Sequence, residues 1–216
     1  EVLVAAMDIA ERHDTMMTLH HFGGRRRPDG RLPTRHLADI GVLGQRLLLA
    51  HGMGLEPEEV ELIADSGATV AMLPPTVLKG ATGLREGGTL PELLERDVPV
   101  ALGTDSVNSS NYSDMVRTMG LTATAYKDAR RDDTVIPAET AVELATLYGA
   151  QAVGRGADLG SIAAGKRADL VLFDTRRPEW QALTEPVNNL VYSADASSVH
   201  TVVVDGRVVV DDHNVP

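Results

Sequence analysis

Short apolar runs alternate with amphipathic segments over roughly the first two thirds of the chain. A run of about four to eight apolar residues is typical of a buried strand, whereas apolar residues recurring about every three or four positions are typical of a helix. The runs predict strands at residues 16–22, 46–50, 68–73 and 98–102. The recurring pattern predicts helices at residues 1–14, 34–43, 57–66, 89–96, 113–130 and 138–153.

This alternation predicts an α/β fold with a parallel sheet, because each helix returns the chain to start the next strand in the same direction. Four such strands precede Asp105. A closed TIM-type (β/α)8 barrel takes about 250 residues, so residues 1–154 are predicted to form about half a barrel. Half a barrel leaves an open sheet edge and an exposed apolar face. We therefore expect the chain expressed alone to be insoluble or molten.

The pattern changes beyond the predicted half-barrel. Residues 161–174 and 199–212 are rich in valine, leucine and alanine at strand-like spacing, and no helix is predicted between them. Residues 202–210 predict a β-hairpin with Asp205-Gly206 at its turn. The segment 155–216 is therefore predicted to be a small β module, a portion of a β-sandwich.

Composition narrows the range of partners. The formal net charge of −11 disfavours nucleic acid and anionic membranes, because both are themselves negative. No apolar stretch approaches the roughly 20 residues needed to cross a bilayer, and we expect a cytoplasmic protein that binds a small molecule. A homodimer is expected as the commonest assembly. Aromatic residues make up only 3% of the chain, so aliphatic side chains are predicted to build the core.

Residues that can bind a metal or handle a proton follow three of the four predicted strands. His20 and His21 end the first strand, His51 follows the second and Asp105 follows the fourth. The C-terminal ends of the strands meet at one rim of a barrel, where active sites lie. A single histidine or aspartate at the end of a strand is common and predicts nothing by itself. Several such residues at one rim predict an active site. The chain contains no cysteine, so imidazole nitrogen and carboxylate oxygen must hold any metal.

Two stretches of sequence carry a resemblance to a known family. They are LGTDSVNSSN at residues 102–111, and LGSIAAGKRADLVLFD at residues 159–174 with VVVDGRVVVDD after it. The chain resembles the amidohydrolase superfamily, in the branch that holds cytosine, guanine and adenosine-analogue deaminases and the triazine hydrolases. The first stretch is similar to the eighth-strand motif, and the second to the returning β-sandwich. The resemblance covers nearly the whole chain and implies the C-terminal half of the barrel, strands five to eight.

The resemblance implies a role for each residue at the strand ends. His20 corresponds to the fifth-strand metal ligand, and Asp105 to the eighth-strand ligand that is also the catalytic base. His51 corresponds to the sixth-strand histidine, a catalytic residue that touches water or substrate and is a second ligand in binuclear members. One divalent ion is expected, zinc ahead of iron or manganese. The expected substrate contacts are His51, His21, Asn108 and Asn111.

These roles imply a metal-dependent hydrolase. A divalent ion lowers the pKa of its bound water to around 7, and Asp105 accepts the proton and relays it to the leaving group. The expected target is a carbon bearing an amino, amide or halide leaving group on a nitrogen heterocycle. Two alternatives stay open: a binuclear cyclic amidohydrolase, and a non-catalytic relative kept for assembly.

The chain departs from the family pattern at several positions. The deaminases of the branch carry a Glu three positions after the fifth-strand histidine, where this chain has Gly23. The seventh strand reads Met72-Leu73-Pro74 instead of His-Asn-Pro. Both changes suit a leaving group that needs less protonation, or a proton donor from another segment. Arg25 to Arg27 form either a solvated loop or substrate contacts.

The first-strand His-x-His pair of the superfamily has no counterpart in this sequence. We therefore expect the activity to require the N-terminal half of the barrel, supplied by residues outside this chain.

Overall fold

Four parallel strands form the larger sheet of the computed structural model, which describes residues 1–215. The strands are β1 (Met17–Phe22), β2 (Leu47–Met53), β3 (Thr69–Met72) and β4 (Val100–Leu102). They lie side by side in chain order, each parallel to the next. The predicted α/β fold with a partial parallel barrel is confirmed. Since β1 and β4 lie at the edges of this four-stranded sheet, the basis for expecting insolubility stands, and that expectation stays a prediction.

Helices connect the strands and cover the sheet. The helices are α1 (Val2–Arg12), α2 (Pro33–Asp39), α3 (Pro57–Ser66), α4 (Pro74–Lys79), α5 (Leu84–Gly87), α6 (Leu90–Glu95), α7 (Val107–Ser110), α8 (Met115–Arg130), α9 (Ala138–Ala145), α10 (Leu147–Ala152) and α11 (Pro186–Tyr192), with 3₁₀ turns at Pro178–Trp180 and Ala196–Ser198. A proline begins α2, α3 and α4, where a missing N–H breaks no bond within the helix. The short α4, α5 and α7 lie in segments to which the apolar pattern assigned no helix.

The core lies between the larger sheet and its helices and is aliphatic, as the composition predicted. Its completely buried side chains include Leu47, Leu49, Val70 and Val100 from the strands and Ile63, Leu90, Leu93 and Leu144 from the helices. Burying one such side chain contributes roughly 1.5–3 kcal/mol. The register places Leu47, Leu49, Val70 and Val100 on the same face of the sheet, so the helices hold the strands from that face and keep their C-terminal ends at fixed positions.

The helix predicted over 138–153 is wrong as a single element. The structure has α9 and α10, separated at Thr146, whose backbone leaves the helical region at φ −129° and ψ −86°. The break is packed closely, because a Cβ at Gly160 would lie only 2.9 Å from the carbonyl oxygen of Thr146. Apolar spacing continues across the break, so the pattern alone carries no sign of it.

The smaller sheet is antiparallel and contains β5 (Leu170–Phe173), β6 (Val199–Val204) and β7 (Arg207–Val210). Its hairpin turns at the predicted Asp205 and Gly206, which have φ values of 49° and 77°. Positive φ at both central residues is the conformation that a tight hairpin with right-handed strand twist requires.

The expectation of no helix between the two β segments is wrong. The helix α11 lies there and packs against α8 and α9. Gly120 in α8 has no room for a Cβ, because the carbonyl oxygen of Val191 occupies that space. The proposed domain boundary at residues 154/155 stays a prediction. Within residues 1–215, every helix is too short or too polar to traverse a lipid bilayer.

Candidate active site

A β-bulge shapes the end of β2, where His51 lies. His21 pairs with His51 and Phe22 pairs with Met53, which leaves Gly52 as an extra residue in β2. His51 and Gly52 adopt left-handed backbone conformations, with φ of 77° and 58°. A bulge of this kind interrupts the alternation of side chains and redirects those beside it. Non-glycine residues adopt such φ values at an energetic cost, and these conformations concentrate at functional sites.

The structure brings together His20, His51 and Asp105 from three separate strand ends. The ring centroids of His20 and His51 are 4.6 Å apart in an edge-on arrangement. The Nε2 atom of His51 lies 3.8 Å from Oδ2 of Asp105. Asp105 follows β4 and, like His51, has a left-handed backbone, with φ of 62°. These side chains form one continuous group at the C-terminal rim of the sheet.

The electrostatics of this group favour a neutral imidazole beside an ionised carboxylate. Burial lowers the pKa of His51, the neighbouring His20 lowers it further, and Asp105 opposes them without reversing the shift. Burial by itself disfavours the charged form of Asp105, but the backbone N–H of Ser106 and the nearby His51 bring its net pKa below the ordinary value. The Ser106 N–H donates to Asp105 Oδ1 at 2.6 Å.

The donor atoms fit a divalent ion as part of a ligand set. Among the residues that the structure describes, no three His, Asp or Glu side chains form a complete metal site. Two ligand atoms that each lie about 2 Å from one ion can be at most about 4 Å apart. The 3.8 Å between His51 Nε2 and Asp105 Oδ2 meets that limit, and the ring of His20 lies beside that of His51, with 4.6 Å between centroids. His51 Nδ1 is buried without a hydrogen-bond partner among residues 1–215. Neutral imidazole and ionised carboxylate are the forms that bind metal.

The expected substrate contact from His21 requires a correction. Its side chain is buried, with 4% of the residue exposed, and its Nε2 lies 2.9 Å from Oγ1 of Thr34. That hydroxyl donates to Oε1 of Glu59 at 2.9 Å, so His21 is the donor to Thr34. Neighbouring side chains on a strand leave opposite faces of the sheet. His21 therefore points to the helices that cover the sheet, whereas His20 lies at the rim.

Glu59 is the centre of this buried arrangement, which we call the anchor network: His21, Gly24, Thr34, Glu56 and Glu59. Glu59 is 0% exposed, and its carboxylate accepts the backbone N–H groups of Gly24 at 2.7 Å, Thr34 at 3.1 Å and Glu56 at 3.1 Å. It thereby ties the end of β1 to the first turns of α2 and α3. Sequence reasoning missed Glu59. Its place three residues after Glu56 at a helix start was the available signal.

The anchor network explains why position 23 is glycine. A Cβ on Gly23 would lie 2.5 Å from Oε2 of Glu59 and 2.7 Å from the Cα of Leu55. Both distances are shorter than real contacts, and one involves backbone that cannot move easily. No side chain, glutamate included, fits at this position without displacing the carboxylate of Glu59.

The seventh-strand position is also explained by packing. Met72 is buried in the core, and the hydroxyl of Tyr126 lies 3.9 Å from its sulfur. Because the side chain of Met72 packs in the core, it provides no polar group at the rim. The arginine loop behaves largely as a solvated loop: Arg26 pairs with Glu56 at 3.2 Å and Arg27 approaches Asp29 at 3.7 Å.

Asn108 and Asn111 lie in and just after α7, the short helix that follows Asp105. Both are exposed, and the side-chain oxygen of Asn111 accepts a hydrogen bond from Nζ of Lys79. Lys79 also donates to the carbonyl oxygen of Ser109 at 2.7 Å, which fastens this loop to α4. Substrate contacts from Asn108 and Asn111 stay predictions.

Phe22 is a further residue of the rim that sequence reasoning missed. The centroid of its ring is 5.1 Å from the ring of His20 and 5.1 Å from the ring of His51. Its position two residues after His20 places both on the same face of β1, and this spacing was the available signal. The aromatic contact with His51 depends on the bulge in β2, and the apolar pattern of the sequence did not predict that bulge.

Residues 1–209 match the amidohydrolase family. The chain belongs to this family. It is 36% identical over 98% of its length to a 5-methylthioadenosine/S-adenosylhomocysteine deaminase from Syntrophobacter fumaroxidans, of which it covers 49%. It is 35% identical over 98% of its length to a 5'-deoxyadenosine deaminase from Methanothermobacter thermautotrophicus, of which it covers 50%. The chain thus spans about half the length of these curated relatives.

Solved structures agree with this assignment. An adenosine deaminase from Xanthomonas campestris with bound zinc superposes with a TM-score of 0.90 at 30% identity, over 99% of this chain and 49% of that one. An atrazine chlorohydrolase from Arthrobacter aurescens complexed with zinc superposes with a TM-score of 0.84 at 24% identity, over 96% of this chain and 47% of that one. This likeness concerns the fold. The predicted family and the partial barrel are therefore confirmed.

Proposed function

We propose that this chain forms the C-terminal half of a metal-dependent hydrolase that attacks a carbon bearing an amino, amide or halide leaving group on a nitrogen heterocycle. One observation carries the proposal. His51 Nε2 and Asp105 Oδ2 lie 3.8 Å apart, and the ring of His20 lies beside that of His51. Two imidazoles and a carboxylate, the kinds of group that bind a cation or move a proton, therefore lie at one rim although they come from distant parts of the chain.

His20 and Asp105 would hold one divalent ion, with zinc the leading candidate because the similar adenosine deaminase structure contains zinc. When bound, such an ion makes a water molecule acidic enough to ionise near neutral pH. The remaining ligands would come from the N-terminal half of the barrel. We propose that activity requires that half, and a homodimer and a cytoplasmic location stay predictions.

The residues of this chain supply the proton chemistry. Asp105 is positioned to accept a proton, and its carboxylate is ionised near neutral pH, the form that a proton acceptor requires. The same group can then pass the proton to a leaving amine. His51 is held neutral by burial and faces Asp105, so it can orient the attacking water or the substrate by a hydrogen bond.

The relatives point to a substrate class. The curated relatives are named as deaminases of adenosine derivatives, so we propose a 6-aminopurine nucleoside as the first substrate to test. A chloro-substituted heterocycle is the second candidate. Gly23 favours it, because no carboxylate fits where the deaminases carry their glutamate, and a halide leaves without a proton.

The test uses the assembled enzyme, meaning this chain together with the residues that complete the barrel. Wild-type protein is assayed for ammonia release from adenosine and 5'-deoxyadenosine and for chloride release from atrazine. Asp105→Asn removes the base but keeps the shape of the side chain. We expect it to lower kcat by about a hundredfold to ten-thousandfold, the usual range for a general acid–base group.

The matched control is Asp97→Asn. Asp97 precedes the same strand at its opposite end, and its backbone also has a left-handed φ of 54°. Its substitution is expected to leave kcat unchanged. Activity retained by the Asp105 variant would contradict the proposal. Two zinc ions per active site would favour the binuclear alternative, and full zinc occupancy without turnover of any heterocycle would favour the non-catalytic one.

A further inference from the structure

Phe22 lies against the two histidines of the rim. Its ring is inclined by 39° to that of His20 and by 31° to that of His51, with both centroids 5.1 Å away. His20, Phe22 and His51 thus form a compact group, which we call the ring cluster. Two of its members belong to the proposed hydrolytic machinery, and the third has no ionisable or metal-binding group.

Phe22 lies next to the bulge in β2. Phe22 pairs with Met53 instead of the residue next to His51, because Gly52 is the unpaired extra residue. Gly52 itself cannot carry a side chain without conflict, since a Cβ there would lie 2.6 Å from Cγ1 of Val70. A glycine is therefore required at the extra position of β2, and the register shift that follows it pairs Phe22 with Met53.

Within residues 1–215 the side chain of Phe22 is partly accessible at the rim, with 37% of the residue exposed. The next residue, Gly23, is buried. The chain contains only one other phenylalanine, Phe173, which packs on Trp180 with centroids 5.9 Å apart in the second part of the chain. An accessible aromatic ring next to a few polar groups is the usual composition of a small-molecule site.

We propose that Phe22 is a specificity-determining residue whose accessible ring stacks on the flat heterocycle of the substrate. The inference rests on the proposed function, because it places that heterocycle within reach of His51 and Asp105. Stacking suits a planar, electron-poor ring, and it orients the ring without competing for the polar groups that carry out hydrolysis.

The experiment compares Phe22→Ala, Phe22→Leu and Phe22→Tyr in the assembled enzyme. The readouts are kcat and KM for adenosine, and the Kd of inosine, its hydrolysis product, measured by calorimetry. We expect Phe22→Ala to raise KM and Kd by about fivefold to one hundredfold, the range for loss of one base–aromatic stack. Phe22→Tyr is expected to restore wild-type values, and Phe22→Leu to fall in between, because it is apolar but not flat.

Two controls sharpen the result. Phe173→Leu alters the only other phenylalanine, and it should leave the Kd of inosine unchanged. The ratio of KM values for adenosine and 5'-deoxyadenosine should also stay constant in every Phe22 variant, because the two substrates share the same ring. Zinc content and the thermal midpoint are measured throughout to identify a variant that has lost its fold, in which case the leucine and tyrosine variants decide.

The outcomes separate this inference from the proposed function. A wild-type enzyme that turns over adenosine while Phe22→Ala keeps its affinity for inosine overturns the role of Phe22 alone. A drop in kcat with unchanged Kd also overturns it, because Phe22 would then only shield the imidazoles. A wild-type enzyme inactive on every heterocycle overturns the proposed function and this inference with it.

Discussion

His20 and His21 are neighbours on β1, yet their imidazoles lie in two different environments. The ring of His20 contacts that of His51 at the open rim, with centroids 4.6 Å apart. The ring of His21 is buried and bonded to Thr34 at 2.9 Å. Because side chains alternate along a strand, one position of separation is enough to assign one histidine to a site and the other to the interior.

The two regions that β1 borders, the anchor network and the rim, differ in how their polar groups are satisfied. Every member of the anchor network takes part in a hydrogen bond within it. Glu59 alone accepts four hydrogen bonds: one from Gly24, one from Glu56 and two from Thr34. On the rim, His51 Nδ1 is unpartnered among the described residues, and His51 and Asp105 both have left-handed backbones. The satisfied region stabilises the fold, whereas the unsatisfied and strained region is the one suited to bind a ligand.

The largest expected effect comes from exchanging the two histidines, one at a time, for glutamine in the assembled enzyme. His20→Gln should weaken zinc binding by more than about a hundredfold, since even indirect partners of a metal site cost 10- to 100-fold. His21→Gln should leave zinc affinity nearly unchanged but lower the free energy of unfolding by about 1–3 kcal/mol. Chelator competition and urea unfolding of the metal-free protein measure the two quantities. Equal loss of zinc in both variants would show that the two regions are not separate.

The anchor network is tested by Glu59→Ala, with Glu58→Ala as its matched control. Loss of the Glu59 carboxylate leaves buried donors on Gly24, Thr34 and Glu56 without an acceptor, so the free energy of unfolding should fall by about 3–5 kcal/mol. Glu58 is the adjacent residue but lies at the surface, paired with Arg35 at 2.8 Å. Its replacement should cost less than about 1 kcal/mol. Similar urea midpoints for the two variants would contradict a central role for Glu59.

The smallest expected effect concerns the glycine next to the network. Gly23→Ala forces a Cβ against Glu59 and Leu55, and overpacking of this kind costs about 1–3 kcal/mol of unfolding free energy. Gly44→Ala is the control, because nothing lies within 4 Å of a Cβ built there. It should change stability by less than about 0.5 kcal/mol. A Gly23→Ala variant as stable as wild type would mean that the loop adjusts, and that a glutamate could be accommodated there as well.

Much of the architecture was predictable because it depends on local pattern. Apolar runs located all four strands of the larger sheet, and Asp205-Gly206 located the hairpin turn, since both follow from backbone geometry that a few adjacent residues determine. The proximity of His20, His51 and Asp105 also followed from pattern, because the ends of parallel strands meet at one rim. The helix α11 and the break at Thr146 escaped prediction, because each depends on contact with distant backbone.

By itself, the sequence determined which residues lie on strands, which strand ends carry imidazole and carboxylate groups, and to which family the chain is related. Only the tertiary structure decided that His21 faces the anchor network, that Glu59 excludes a side chain at position 23, and that Phe22 reaches His51 across a bulge. The physical reason is that the spacing of apolar residues shows on which face of a strand a side chain lies. The residues that this side chain contacts come from distant segments of the chain, which meet it only after folding.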